Sequence, residues 1–429
     1  MLFRSDINGG TLDVDSTDVD ASKLVAGQSL RFTVMKSTDG LTGLFGEVAG
    51  VNSLFSLTQN SDNFNLFVDL QYANETPFSF YGDNDNIGEV AYVLNWATER
   101  NPGFVQKLIE MNDTQIGLWL DRARGSEIVT EGMAMTMHSP WKHAWSRLGI
   151  GRAITKDSNR GWAAGIARDS DISSDGNARS HETYRRGIVA GYDHMVTDNI
   201  LLGAHMLYAD DVIDSAGNRL EGEDMTFAVY ASTWAGNWLR ADGFAGYGIQ
   251  DYGYRRFDAS GRHDGQYDGR ALYGSLQLST PLKPTSNIVM GPILGIDYQR
   301  TKVDSITERG AVDGQLISES EHDVLTARIG VAAQALVADR VQWKGRLDYG
   351  RHIDGDNRPE ISTRFESLME SPEMRLRGVN LRREYVEASA GFEVFVDSKK
   401  HFSAFGDYEY KHAGRENSHG GRFGTMIRW

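Results

Sequence analysis

The chain has no cysteine among its 429 residues, so no disulfide framework supports it. That absence suits a polypeptide that crosses an oxidising compartment unfolded. Proline is scarce, with 8 residues. Basic charge is in deficit: 44 Lys and Arg face 59 Asp and Glu, and the net charge of −15 argues against a nucleic-acid partner. No stretch of about 18 apolar residues exists, which excludes a membrane-spanning helix. It does not exclude a membrane barrel, whose tilted strands need only about 9–11 residues each. The first residues, MLFRSDINGG, lack an apolar core, so no secretory signal is present. If the protein is exported, the expectation is a fragment or a start-truncated gene product. No His-Glu-x-x-His pair, phosphate-binding loop or dinucleotide fingerprint occurs, so no metal and no cofactor are expected.

What the chain has in quantity is glycine, at 47 residues, and aromatics, with 9 Trp, 17 Tyr and 18 Phe. The last third shows how they are used. Val386, Ala388, Ala390, Phe392, Val394 and Val396 alternate with polar or small residues. Phe402, Ala404, Gly406, Tyr408 and Tyr410 repeat the pattern, and Phe423, Thr425, Ile427 and Trp429 end it. Period two marks strands with two unlike faces, because successive side chains leave a strand on opposite sides.

Residues 1–85 read as short strands between Gly, Asn and Asp turns, with Leu30, Phe32 and Val34, and then Leu66, Val68 and Leu70, as the clearest. Residues 86–140 read as a helical linker. Ile87, Val90, Ala91 and Leu94 share one helical face behind Asn86 as N-cap. Asn101-Pro102 opens a second helix with Phe104, Val105, Leu108 and Ile109. A third starts near Asp113, carries Ile116 and Leu120, and is interrupted at Gly125. Asn112 reads as its N-cap.

From 141 onward twelve alternating runs are expected, at 142–155, 183–196, 200–212, 223–234, 238–249, 269–280, 288–302, 322–337, 341–352, 384–396, 402–412 and 422–429. The connections between them alternate short and long, with 156–182, 213–222, 250–268, 303–321, 353–383 and 413–421 as the long ones. An even count of antiparallel strands with short turns at one end and long loops at the other is the plan of a bacterial outer-membrane barrel. The predicted fold is therefore all-β: a 12-stranded antiparallel transmembrane β-barrel over 141–429. Charge on a lipid-facing midplane position costs roughly 2–4 kcal/mol. The charged stripe must then face inward, making Arg147, Asp193, Arg240, Asp242, Arg346, Asp348 and Glu387 the lumen-lining candidates. Trp343, Tyr349, Tyr408, Tyr410 and Trp429 suit interfacial girdles.

Several stretches carry a family resemblance. They are Trp145-x-Arg147, the Gly187, Gly191, Asp193 spacing, Tyr230-Ala231-Ser232 and the terminal strand Phe423, Thr425, Ile427, Trp429. With them residues 24–429 resemble the C-terminal part of a type V autotransporter, and Leu24–Val48 is similar to the end of a pertactin-type β-helical passenger. The resemblance implies an outer-membrane translocator that displays its own passenger at the surface of a Gram-negative cell. It also implies a helix in the lumen and a short β-helix-like remnant before the linker. Phe423, Ile427 and Trp429 look like the assembly signal read by the barrel-assembly machinery. The implied partners are outer-membrane lipid, that machinery, periplasmic chaperones and the chain's own passenger, with the protein a monomer and not an enzyme. In this family the lumenal helix usually runs almost directly into the first strand; here Ile128–Pro140 intervene.

Two rival readings remain at this point. A barrel enzyme or surface protease would use rim carboxylates, for which Asp210, Asp211 and Asp214 are the candidates. A porin-like diffusion pore would have an open lumen.

Overall fold

The computed structural model describes residues 3–5, 11–14, 24, 29–36, 44–49, 52–62, 64–73, 78, 85–100, 108–136, 139–150 and 158–429, the last range without 237, 259–260, 311–313, 339, 382 and 398–399. Two compact units result. One comprises 1–125 with 258–261 and 363–376; the other comprises 126–257, 262–362 and 377–429.

In the first unit Thr11–Val14 pairs antiparallel with Phe3–Ser5 and parallel with Glu47–Ala49. Parallel pairing is the relation between successive coils of a solenoid. Ser29–Lys36, Asn65–Tyr72 and Phe55–Ser61 instead form an antiparallel sheet, in that order. Leu12 and Val68 lie at the centre of its core, with Val34, Phe45, Val48 and Leu57 packed around them. Helix α1 (Asp85–Arg100) buries Val90, Ala91, Val93, Leu94 and Ala97. Asn86 lies inside its first turn rather than capping it. Of the expected second helix, 101–107 fall outside the described residues, while Leu108 and Ile109 are helical and buried. Helix α2 (Asp113–Ala123) has a capping box: Asn112 accepts from the Gln115 amide at 2.9 Å, and Gln115 accepts from the Asn112 amide at 2.8 Å.

The second unit is a closed 12-stranded antiparallel barrel. Its strands are β1 (Asn159–Ile172), β2 (His181–Thr197), β3 (Ile200–Ser215), β4 (Asn218–Ala235), β5 (Leu239–Asp258), β6 (Gly261–Ser279), β7 (Ile288–Val303), β8 (Ser320–Ala338), β9 (Val341–Gly355), β10 (Glu384–Phe395), β11 (Phe402–Ala413) and β12 (Glu416–Arg428). The last strand closes on the first, from Glu416 opposite Ile172 to Arg428 opposite Arg160. No sheet edge is left there to recruit a neighbour.

The lipid face is apolar, as the alternation demands. Ile188, Leu202, Val229, Leu276, Leu294, Ile329, Leu347 and Phe423 all point outward and are exposed. Trp343, Tyr349, Tyr408 and Trp429 stand exposed among them. Val331 faces Leu347 and Ile329 faces Tyr349, so the expected face continues from β8 into β9, with a register shift near the turn. Exposed ion pairs ring one end beyond this band: Arg219–Glu221 at 2.6 Å, Arg300–Glu321 at 2.6 Å and Lys302–Glu319 at 2.7 Å.

Two expectations need correction. The segment 142–155 is not the first strand. Trp141–Leu148 is a helix, because Trp141, Ala144, Trp145 and Leu148 recur at helical spacing, and Gly149 ends it with φ 63°. The true first strand, β1, carries Gly161, Ala163, Gly165 and Ala167 outward and Trp162 and Ile166 inward, so it shows no greasy outward stripe. Three of the expected long loops are also continuations of the ladder. β3 and β4 meet at a tight turn over Ala216 (φ 45°) and Gly217 (φ 87°), β5 runs to Asp258, and Ala413 already faces Glu416. Above the bilayer an outward residue no longer has to be apolar. Hydrophobic alternation therefore stops at Asp210, Asp214, Glu221 and Glu223 while backbone pairing continues.

Candidate functional site: the plugged lumen

The barrel interior is filled by helix α3 (Ile128–Thr136) and helix α4 (Trp141–Leu148). α3 sits at the end that carries the ion-pair ring. Ser126 Oγ donates to Gln315 Oε1 at 2.6 Å, and Glu127 accepts from the Arg179 amide at 3.2 Å. Glu131 accepts from the Val379 amide at 3.1 Å and pairs with His181 Nε2 at 3.0 Å. His181 opens β2, beyond the apolar band. Burial is the largest single influence and opposes its charge, but the Glu131 carboxylate, the Arg179 backbone and Glu127 together raise its pKa.

α4 lies deeper and has two unlike faces. Its apolar face, Trp141, Ala144, Trp145 and Leu148, packs on Met195, Leu201, Tyr230, Phe244 and Tyr273 of β2–β6. Phe244 meets the Trp141 and Trp145 rings edge-on, each at 6.2 Å between centroids. Its polar face meets β9–β12. Lys142 pairs with Glu387 and, at 3.4 Å, with Glu409. Arg147 pairs with Asp407 and lies 3.5 Å over the Phe405 ring.

The last carbonyls of a helix have no intrahelical donors and carry partial negative charge. Three wall cations serve those of α4. Lys344 donates to Ser146 O at 3.3 Å, Arg160 to Arg147 O at 3.1 Å, and Arg240 to Gly149 O at 2.6 Å. Each of these cations lies near the turn-side end of its strand, so α4 ends where β1 begins.

Asp193 is fully buried, accepts from Arg160 at 2.5 Å and also accepts from Tyr230. Gly191 and Gly203 make that centre possible, since a Cβ at either would run into the Trp162 or the Tyr230 ring. Arg240 and Asp242 pair at 2.7 Å on β5, and Arg346 pairs with Asp348 on β9. Gln277 joins these two pairs, donating to Asp242 at 3.1 Å and accepting from Arg346 at 2.9 Å. Glu387 is buried against Lys142. Arg147 is also buried, but it belongs to α4 and not to the wall. Phe423, Ile427 and Trp429 are exposed on the outer face of β12. Glu393, Asp407 and Glu409 were not singled out from the sequence, although each occupies an inward position of an alternating strand; Arg160, also inward, lies on β1, which lacks that alternation.

The rim carboxylates do not converge. Asp211 is inside, held by Arg185 at 2.6 Å and Tyr252 at 2.9 Å, whereas Asp210 and Asp214 point outward. No cluster of three or more His, Asp or Glu suited to a metal exists among the described residues.

An apolar belt around an ionic, helix-filled interior defines an outer-membrane β-barrel with an internal plug. The family model of the autotransporter beta-domain matches residues 161–409, and the chain belongs to that family. The fold is similar to the translocator domain of the autotransporter NalP from Neisseria meningitidis, at 14% identity and a TM-score of 0.57, over 71% of this chain and 99% of that one. The transport unit of AIDA-I from Escherichia coli also matches, at 12% identity and a TM-score of 0.49, over 71% and 98% of the two chains. So does the beta domain of the Bordetella autotransporter BrkA, at 17% identity and a TM-score of 0.46, over 64% and 100%. A search of curated proteins finds no match. The chain is thus an outer-membrane translocator domain of a Gram-negative bacterium, serving passenger secretion. Translocator domains of this family are transporters.

Proposed function

We propose that this barrel carries its own upstream segment to the cell surface without catalysing any reaction, and that α3 and α4 are the part of that segment left in the pore. The observation that carries this reading is the path of the chain. From Ser126 it is held by the ion-pair end of the barrel, runs through α3 and α4, and reaches the turn end at Gly149 next to the start of β1. Residues upstream of 126 are then the exported part: the passenger remnant 1–85 and the first part of the 86–140 linker, whose pore helix α3 stays in the lumen with α4, which extends it to Leu148. In an exported protein the ion-pair end faces outward. Before β12 pairs with β1, its alternating pattern suits β-augmentation onto a template sheet, with Phe423, Ile427 and Trp429 as the residues that the barrel-assembly machinery reads after delivery by periplasmic chaperones.

Deleting residues 126–150 in the full chain is the direct test. Planar-bilayer conductance is expected to rise sharply, because the lumen loses its plug. Unchanged conductance would sink the reading. An open diffusion pore has no use for a filled lumen. Truncating Ile427–Trp429 is expected to abolish insertion into the outer membrane, and normal surface exposure of the truncated chain would contradict the assembly role.

A further inference from the structure

Three small cavities remain beside the plug. An outer one of about 130 Å³ lies between α3 and the wall, roofed by Asp356, Asn357 and Pro359. An inner one of about 70 Å³ runs along α4 towards the turn end, past Gly149, Ser279 and Lys344. A third, of about 50 Å³, runs past His143, Ile166 and Gly421, and Lys142 lines all three. The outer and inner cavities share Lys142 and Glu387. These two form the ion pair described above, with Glu409 as the second acid on the same ammonium. We propose that the lumen is an ion pathway of small chambers partitioned by Lys142 and the two acids that hold it, Glu387 and Glu409, and that the inner chamber favours small anions.

The partition follows from chemistry at close quarters. A buried ammonium held by two carboxylates fills its space with fixed, mutually satisfied charge, and an ion can pass only by breaking that pair. Lys142 projects from α4, the second helix in the lumen, so the partition belongs to the segment that intervenes before β1. Selectivity follows from the inner lining. Its other cations are Arg240, Arg328, Lys344, Arg346 and Arg422, against Asp348, Asp407 and Glu409. Asp242 and Glu393, which neutralise Arg240 and Lys344, do not line the chamber. The inner chamber carries this excess of cations along α4, so it sets the charge preference of the path. A charged constriction is the general means by which pores select ions.

This inference rests on the plug reading, and the experiment separates the two. Full-length chain, its Lys142→Met and Glu387→Gln variants and the 126–150 deletion are compared in planar bilayers in KCl, after a heat-shift gel confirms a folded barrel. Lys142→Met is expected to raise single-channel conductance by about twofold or more, and the gentler Glu387→Gln to raise it less. Reversal potential in a KCl gradient should carry the anion sign, moving towards cations in Arg346→Glu. If the deletion opens the pore while both single variants conduct as the parent does, the partition is wrong and the plug stands. If the deletion changes nothing, both fall. A parent pore that prefers cations overturns the selectivity argument.

Discussion

The two sides of the lumen hold the same helix in different ways. Against β2–β6, α4 is gripped by aromatic and aliphatic packing. Against β9–β12 it is gripped by charge, through Lys142, Arg147 and the acids opposite them. Packing supplies most of the free energy, because burying a large apolar side chain contributes about 1.5–3 kcal/mol. A buried ion pair roughly offsets its own desolvation and supplies register instead. The aromatic side therefore explains why the helix stays, and the ionic side explains where it stops.

Removing the aromatic grip should have the largest effect. Trp145→Ala is expected to cost about 3–5 kcal/mol, as for other buried aromatic truncations, read as lower thermal stability of the detergent-solubilised barrel. Full stability in that variant would mean that the ionic side suffices. Arg147→Met should cost less, about 3 kcal/mol, the low end for breaking a buried pair, because Arg422 also lies 3.6 Å from the stranded Asp407. The double variant Arg147→Met, Asp407→Leu should recover most of that loss. A double variant as unstable as the single one would show that the ionic side carries net stability, and the comparison would fail.

How much of this could be read beforehand depends on the face. The outward stripes of β8, β9, β10 and β12 were legible because lipid demands an apolar residue at every second position, and Leu347 or Phe423 meets that demand alone. β1 was not legible: its lipid face is Gly161, Ala163, Gly165 and Ala167, small residues with no pattern, and its bulk points inward at Trp162. α4 was hidden because Trp145-x-Arg147 satisfies period two over three residues, while the helical stripe emerges only over Trp141–Leu148. The inward charges Asp193, Arg240, Asp348 and Glu387 could be placed by alternation. Their partners could not be. Glu387 meets Lys142 and Arg160 meets Arg147 O only because a helix from elsewhere in the chain fills the lumen.

The smallest effect concerns α3, which adds one titratable pair with the wall to its buried Ile128, Val129 and Met133. His181 meets Glu131 at 3.0 Å, with Glu127 as the next acid and the Arg179 backbone as a further acceptor. Because the folded pKa lies above the ordinary histidine value of about 6.5, the pair's stabilisation is fully present below that value and is lost as pH rises through the folded pKa. The melting temperature of the solubilised barrel should therefore fall between pH 6 and pH 9 by a small margin. His181→Gln keeps a donor for Glu131 but has no charge to lose, so its melting temperature should vary less over the same range. A variant with the parent's full pH dependence would place the titration elsewhere, and α3 would then be held by Ser126 and Glu127 instead. A flattened profile would mark the outer helix as the end of the plug whose grip depends on pH, in contrast to the pH-indifferent aromatic grip on α4.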